Sequence, residues 1–337
     1  MSGLERRVSL ADVASAAGVG KATASRALSD RRSQDIGEAT RERVRAVAIE
    51  LGYTPNRAAR ALRTGRNDSI SLVVPVEEWA WWAPVVQGAA VAAGRRNLQL
   101  IVHPVQVTSS IDAALAFLNG RGIDGAIVMT NARLERSDLP APMPVVLIDD
   151  LDADPTLPTV RSDNRRGGRD LGRHLIERGR VAPAVFLPNP DAHFAVERLA
   201  GFREAYTEAG LEVPPDRVVA ISESVTLSPR LHAEVGEAVQ RFAGTIDSVF
   251  AIADYVAASV LRTLAEAGIA VPDDIAVVGY DDERAALLMN PPLTTMHQPL
   301  HEMGAAAVEL LEEAIGGTER DDPVIELDGT LVVRAST

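Results

Sequence analysis

Residues 21–26, Lys-Ala-Thr-Ala-Ser-Arg, carry side chains suited to the edges of base pairs and to phosphates. Lys21 is the only lysine among thirty-four basic residues. With Arg26 it can donate to guanine O6 and N7, while Ala22 suits a thymine methyl and Thr23 and Ser25 suit phosphate oxygens. Two readings of Lys21 stand side by side: a compact ammonium fitted to one base edge, or a chance survivor in an arginine-using chain. A second set of residues is acidic. Asp149, Asp254 and Asp281 follow β-branched runs, and Arg198, Trp81 and Trp82 add a guanidinium and two indole faces. Carboxylates and arginine bond vicinal hydroxyls and an indole stacks on the apolar face of a pyranose, which suggests a neutral sugar or glycoside. Each residue also has a plainer reading, since strand-end aspartates cap helices and a tryptophan pair can be core.

The elements that must hold the first set lie in residues 1–68. Ser9-Leu-Ala-Asp12 has the form of a capping box, which predicts a helix to about Ala17. Gly18-Val-Gly20 predicts a tight turn into a second helix from Lys21 to Leu28. Gly37-Glu-Ala-Thr opens a third helix, in which Val44, Val47, Ala48 and Leu51 share one face before Gly52 ends it. Two short helices joined by a glycine turn are the helix-turn-helix pattern, which places the start of the second helix in a major groove. Next, Thr54 and Pro55 can open a two-turn segment with Arg57, Arg60, Arg63 and Arg66 for phosphates. A helix of that length is unstable alone. Its apolar residue Leu62 suits a wedge between base steps in the minor groove, or else packs from a plain linker onto the body.

Beyond residue 68 the pattern changes to short apolar runs alternating with amphipathic stretches. The runs include 70–76, 98–102, 126–129, 145–148, 184–187, 249–253 and 275–279; the stretches include 84–96, 165–178, 195–209 and 300–315. This alternation predicts parallel sheets covered by helices, in two lobes, with ligands beyond the carboxyl ends of the strands. The expected organisation is an all-α headpiece at 1–53, a hinge at 54–68 and an α/β body at 69–337.

Charge follows the same division. Residues 1–68 hold thirteen Lys/Arg and eight Asp/Glu, a net +5, and the remainder holds twenty-one and thirty-nine, a net −18. A basic head on an acidic body suits nucleic-acid contact by the head alone. The absence of cysteine excludes disulfides, thiolate nucleophiles and Cys-ligated metal sites. No apolar run approaches the roughly 20 residues of a membrane span, and a secretory h-region is absent, so a cytoplasmic protein with no membrane contact is expected. His297 and His301 have metal-ligand spacing, but Pro299 lies between them and no third ligand is evident; no metal or other cofactor is expected. An acid/base pair for glycoside hydrolysis fares no better, because Asp149-Asp150 and Asp281-Asp282 are sequence neighbours and should point apart.

Three stretches, in order, carry a specific resemblance: Val8-Ser-Leu-Ala-Asp-Val-Ala through Lys21-Ala-Thr-x-Ser-Arg26, Thr40-Arg-x-Arg-Val44, and Leu51-Gly-Tyr-x-Pro-Asn-Arg-x-Ala-x-x-Leu62. They resemble the headpiece and hinge of the lactose-repressor (LacI/GalR) family. Asp163-Asn-x-x-Gly-Gly, Arg198-Leu-Ala-Gly-Phe202, Val277-Val-Gly-Tyr-Asp-Asp282 and Pro291-Pro-Leu-Thr-Thr-x-x-Gln-Pro299 extend it through a periplasmic-binding-protein-like effector domain. The resemblance implies that Lys21, Ala22 and Arg26 read bases, that Ala59 and Leu62 enter the minor groove at a central step, and that Ser9, Asn56 and Arg57 belong to the DNA-binding set. It implies that Asp149, Arg198 and Asp281 touch a sugar, with Gln298 completing the effector set. Two departures stand out. Gly20 replaces the family's serine N-cap, and Ile252-Ala253-Asp254 replaces Ala-Asn-Asp, which removes an amide that often bonds the effector.

The expectation is an effector-responsive repressor of carbohydrate-utilisation genes, a homodimer on a pseudo-palindromic operator. No leucine-heptad tail signals a tetramer. The competing readings are a transport-type sugar-binding protein, which would need a secretion signal and no helix-turn-helix, and a regulator of the same build that responds to a non-sugar ligand.

Overall fold

Capping and glycine turns build the first unit, residues 1–67, and a second unit spans residues 68–337. The computed structural model describes residues 8–28, 36–54, 61, 65–76, 79–106, 111–129, 143–149, 156–188, 190–221, 229–242, 244–318 and 320–337. In the first unit, α1 (Leu10–Ala16), α2 (Lys21–Ala27) and α3 (Glu38–Glu50) pack on one another. The Ser9 capping box forms: the Ser9 amide donates to Asp12 Oδ2 at 2.8 Å and the Asp12 amide to Ser9 Oγ at 3.3 Å. Gly18 and Gly52 end α1 and α3 at φ values of +65° and +64°, a conformation open to glycine without strain. Val13, Ala14, Ala17, Ala24, Ala27, Val44 and Ala48 fill the core. Such small side chains let three short helices approach closely.

The second unit holds two sheets of the same winding. The first lobe's sheet has the order β11-β5-β4-β3-β1-β2, from β1 (Ser69–Pro75), β2 (Gln99–Val105), β3 (Gly125–Met129), β4 (Val145–Ile148), β5 (Thr159–Ser162) and β11 (Val324–Leu327). The second has the order β12-β10-β9-β8-β6-β7, from β6 (Pro183–Pro188), β7 (Val218–Ile221), β8 (Ser248–Ala251), β9 (Ala276–Asp281), β10 (Thr294–His297) and β12 (Thr330–Val332). All pairings are parallel except β10 with β12. Parallel strands covered on both faces must be apolar throughout, and β1, β3, β4, β6 and β8 are buried along their whole length.

Successive residues of each strand serve opposite helix layers. In the first lobe Ile70, Leu72 and Val74 pack with α4 (Trp79–Arg95) and α10 (Leu300–Ile315), while Val73 meets Leu115 and Leu118 of α5 (Ile111–Leu118). In the second lobe Val277 joins α8 (Pro229–Arg241) and α9 (Asp254–Glu266), while Val278 and Tyr280 join α6 (Asn164–Glu177) and α7 (His193–Glu208). The chain passes between lobes three times, at Asp163, at Gln298-Pro299 and at Asp328-Gly329.

The apolar runs become strands, with bounds shifted by up to three residues. The stretch expected to start at Pro84 begins at Trp79 with the proline inside the helix, so Trp81 and Trp82 stand in a first turn rather than on a loop after β1. The strands β5, β7, β10, β11 and β12 were not among the apolar runs: each is three or four residues long, and several are only half-buried.

Candidate functional site

In the headpiece, the capped turn sets the start of α2 outward. Ala24 and Ala27 face the core, which leaves Lys21, Ala22 and Arg26 exposed and Thr23 and Ser25 half-exposed on the other face. Lys21 has no ion-pair partner among the described residues. Gly20 stands at the N-cap with no side-chain hydrogen bond, so no capping side chain covers the start of α2. Ser9 is committed to its capping box, its hydroxyl donating to Asp12 Oδ2 at 2.7 Å. Asn56, Arg57, Ala59 and Leu62 lie outside the described residues.

The body's polar cluster centres on Arg198, on the α7 face that packs against α6. The two helices touch through glycines: a Cβ at Gly201 would lie 1.7 Å from the Arg165 carbonyl oxygen, and one at Gly168 would lie 2.0 Å from that of Arg198. This contact buries the guanidinium to 2% exposure. Its Nε donates to Asn164 Oδ1 at 2.8 Å, and its Nη1 donates to the Ile252 carbonyl at 2.8 Å and to Asp281 Oδ1 at 3.4 Å. The guanidinium also lies 3.6 Å from the Tyr280 ring centroid and 5.0 Å from that of Phe194. From the interlobe crossover, Gln298 Nε2 donates to Asp281 Oδ1 at 2.7 Å.

Burial dominates the acids here. It pushes Asp281 up, Arg198 opposing, and it pushes Asp254 well up, with the nearby Asp281 charge adding to the effect. At the end of β4 in the other lobe, Asp149 is also raised by burial, offset in part by the charge of Arg198. The charge of Arg198, in one lobe, is thus felt at Asp149, in the other. Asp149, Asp281 and Asp282 have φ values of +63°, +114° and +54°, and backbone strain of this kind concentrates at binding sites. It also separates the neighbouring carboxylates as expected. Asp281 turns in to Arg198 and Gln298, while Asp282 accepts from Arg334 Nη2 at 2.6 Å and pairs with His297 Nδ1 at 3.1 Å.

Several buried polar atoms around this cluster have no hydrogen-bond partner among the described residues, namely Asp149 Oδ1, His193 Nδ1 and Gln298 Oε1, while the Ser162 and Tyr280 hydroxyls lie within reach of each other. A native interior seldom leaves such atoms unsatisfied, so ordered water or a polar ligand is needed to complete the bonding here.

The other sequence candidates occupy different positions. Asp254 is fully buried behind the cluster, where Oδ1 accepts from Thr295 Oγ1 at 2.6 Å and Oδ2 from the Glu283 amide at 2.8 Å. Its contacts tie α9 to the turn after β9 and to β10. Trp82 is 1% exposed within the first lobe's core, and Trp81, half-buried, meets it edge-on at 4.0 Å between ring centroids. Sequence reasoning did not single out Asn164, Tyr280, Phe194, His193 or Ser162 as site residues. Asn164 was visible in the Asp163-Asn-x-x-Gly-Gly stretch, and Tyr280 one residue before Asp281, but only the fold aims them at Arg198.

A helix-turn-helix unit joined to a two-lobed body with a polar cleft defines a DNA-binding regulator that carries a ligand-sensing domain. Comparison with known proteins agrees. Residues 9–56 match the family described as bacterial regulatory proteins, lacI family, and residues 172–337 match the periplasmic binding protein-like domain. The HTH-type transcriptional regulator CelR of Thermobifida fusca is 34% identical, over 98% of this chain and 98% of its own. The structure of a transcriptional regulator CelR–cellobiose complex is 33% identical with a TM-score of 0.70, covering 98% of this chain and 100% of that one. The Lac repressor dimer bound to operator and the anti-inducer ONPF shares the fold, with a TM-score of 0.80 at 24% identity over 98% and 99% of the two chains. The chain belongs to the LacI family of bacterial regulatory proteins: it is a DNA-binding transcriptional regulator and not an enzyme.

Proposed function

We propose that this regulator is a cytoplasmic homodimeric repressor of carbohydrate-utilisation genes whose operator affinity is set by a sugar bound in the interlobe cleft. The observation that carries the reading is the Arg198–Asp281–Gln298 cluster facing Asp149, with its unpartnered oxygens. A ligand bonded to Asp149 in one lobe and to Arg198 and Asp281 in the other prefers one relative placement of the lobes, and that differential affinity is what couples the cleft to DNA. The 33%-identical CelR structure holds cellobiose, which supports a glucoside here.

On the DNA side, Lys21, Ala22 and Arg26 read base edges, Thr23 and Ser25 bond phosphates, and Asn56, Arg57, Ala59 and Leu62 serve minor-groove contact. Two copies on a pseudo-palindrome follow from half-site reading. Leu287 and Leu288, 62% and 84% exposed, offer apolar surface for the second copy.

A thermal-shift and operator-binding panel of neutral mono- and disaccharides tests the proposal. One sugar should raise the Tm and change operator affinity, and Arg198→Ala and Asp281→Ala should abolish both effects. A sugar that shifts wild type and both variants equally would reject the cleft. Sedimentation should show a dimer that Leu288→Glu weakens.

A further inference from the structure

The segment after β12, Arg334 to Thr337, is stitched into the second lobe. The buried Ser336 hydroxyl donates to the Val277 carbonyl at 2.6 Å and accepts from the Thr294 amide at 2.8 Å, and the Ser336 carbonyl accepts from the Val277 amide at 2.9 Å. Thr337 Oγ1 lies 2.9 Å from both His174 Nε2 and Thr294 Oγ1, and the Thr337 carbonyl accepts from Arg178 Nη1 at 3.2 Å. Arg334 is fixed at its backbone, where its amide donates to Thr294 Oγ1 at 2.9 Å. Its guanidinium then works as a fork: Nη1 donates to the Leu293 carbonyl at 2.8 Å and Nη2 to Asp282 Oδ1 at 2.6 Å. His297 Nδ1 meets the other Asp282 oxygen at 3.1 Å. The carboxylate so held belongs to a strained turn. Asp281 and Asp282 are consecutive non-glycine residues at φ values of +114° and +54°, a conformation that persists only where the surroundings impose it. Besides Arg334 and His297, the turn is held by its own amides, Asp282 donating to Thr295 Oγ1 at 3.4 Å and Glu283 to Asp254 Oδ2 at 2.8 Å.

We infer that Arg334 is a positioning residue for the cleft: by gripping Asp282 it keeps the strained turn in the form that directs the Asp281 carboxylate to Arg198 and Gln298. The consequence for an effector rests on the reading of the cleft given above. An ungripped turn relaxes toward ordinary extended φ values, and that rotation takes the Asp281 carboxylate off Gln298 Nε2, 2.7 Å away, and toward water. The charged groups facing Asp281 are Arg198 from α7, Asp149 from the end of β4, Asp254 from α9 and Glu283 from its own turn. Burial among them pushes its carboxyl up to about 7. Position and charge therefore give opposite signs when Arg334 is removed. Loss of a positive charge alone can only raise a neighbouring carboxyl, whereas release of that carboxyl to water brings it down toward the ordinary value of about 4.

The test is the Tm of the full-length protein between about pH 5 and 8, a window set by the released and buried carboxyl values, in two matched pairs: wild type with Asp281→Asn, and Arg334→Gln with the Arg334→Gln, Asp281→Asn double variant. The Tm difference within the first pair should change across the window, as the buried carboxyl loses its proton, and the difference within the second should be nearly flat. A second pair as steep as the first, or steeper, overturns the proposal. A first pair already flat overturns it too, since the carboxyl is then not held in that buried place. Arg334→Lys keeps the charge but cannot bridge Leu293 and Asp282 together, so its slope should fall between the two. If Arg334→Gln does not fold, this variant decides, and a slope equal to wild type sinks the fork. A sugar found by the binding panel should bind Arg334→Gln about tenfold more weakly, the worth of one displaced charged hydrogen bond; equal affinity would end the effector role. A panel in which no sugar binds removes the cleft reading and its effector role, while the pH series still decides whether Arg334 places Asp281.

Discussion

The two working surfaces are built on opposite terms. On α2 the cation proposed to read DNA, Lys21, is exposed and without an ion-pair partner among the described residues. In the body the cation proposed to bind the effector, Arg198, is 2% exposed with Nε and Nη1 bonded inside the protein. The contrast follows from the ligands proposed for each. A polyanion is attracted over distance by mobile surface charge, and binding it releases counterions. A small uncharged molecule supplies no field, so it is held by short, fixed hydrogen bonds whose geometry the fold sets in advance. The first surface therefore costs the fold little, and the second is part of the core of its lobe.

The sharpest way to break the contrast is to remove each cation. Arg198→Met leaves Asp281 buried without its partner, and unpairing a buried ion costs about 3–5 kcal/mol. The body's Tm should fall well below wild type, and an unchanged Tm would show that the guanidinium is not structural. The next effect is a pH dependence. Burial pushes the Asp281 carboxyl up to about 7, so the folded state keeps a proton that the unfolded chain releases above the ordinary carboxylate range. Stability contributed by that proton is complete at low pH, falls as pH rises through this window and levels off above about 7. Asp281→Asn removes this component, and its Tm relative to wild type should rise between pH 5 and 8. Parallel curves would show that Asp281 carries no such proton.

Lys21→Ala should leave Tm within about 0.5 kcal/mol of wild type in stability terms, as at other surface sites. It should weaken operator binding by about 1–3 kcal/mol, confined to one base pair in a panel of substituted operators. A uniform loss across all operators would make Lys21 a phosphate contact instead. Lys21→Arg completes the test, since undiminished affinity and preference would make the lysine an accident of composition. The smallest effect belongs to the surface ladder between α6 and α7, where Glu204 pairs with Arg165 and Arg169 and its carboxyl is drawn down to about 2. Glu204→Gln should cost less than about 1 kcal/mol, because exposed ion pairs are offset by solvent and side-chain entropy. A larger loss by chemical denaturation would show that the ladder, rather than the glycine contact beneath it, holds the two helices together.

The headpiece was legible because its signals are local. Ser9 and Asp12 are three residues apart, Gly18 and Gly52 mark helix ends, and the outward face of α2 follows from which positions are alanine. In the cleft, Arg198, Asp281 and Gln298 were legible by type and by resemblance. Their partners were not, since Asn164, Ile252 and Tyr280 are 34, 54 and 82 positions from Arg198. Trp82 shows the converse: its type suggested a ligand face, but the turn of α4 sends it into the core. Asp254 likewise has the chemistry of a ligand contact, yet Thr295 and the Glu283 amide take both its oxygens.

By itself the sequence determined the division into a basic helical head and an acidic α/β body, and the family, because capping, periodicity and charge act over a few residues. Only the tertiary structure decided which polar groups face one another. Parallel β-strands bring their carboxyl ends together whatever their separation along the chain, and the glycine contact between α6 and α7 then fixes where the Arg198 guanidinium lies to within a hydrogen bond. Spacing along the chain does not encode that convergence, which arises when the layers pack.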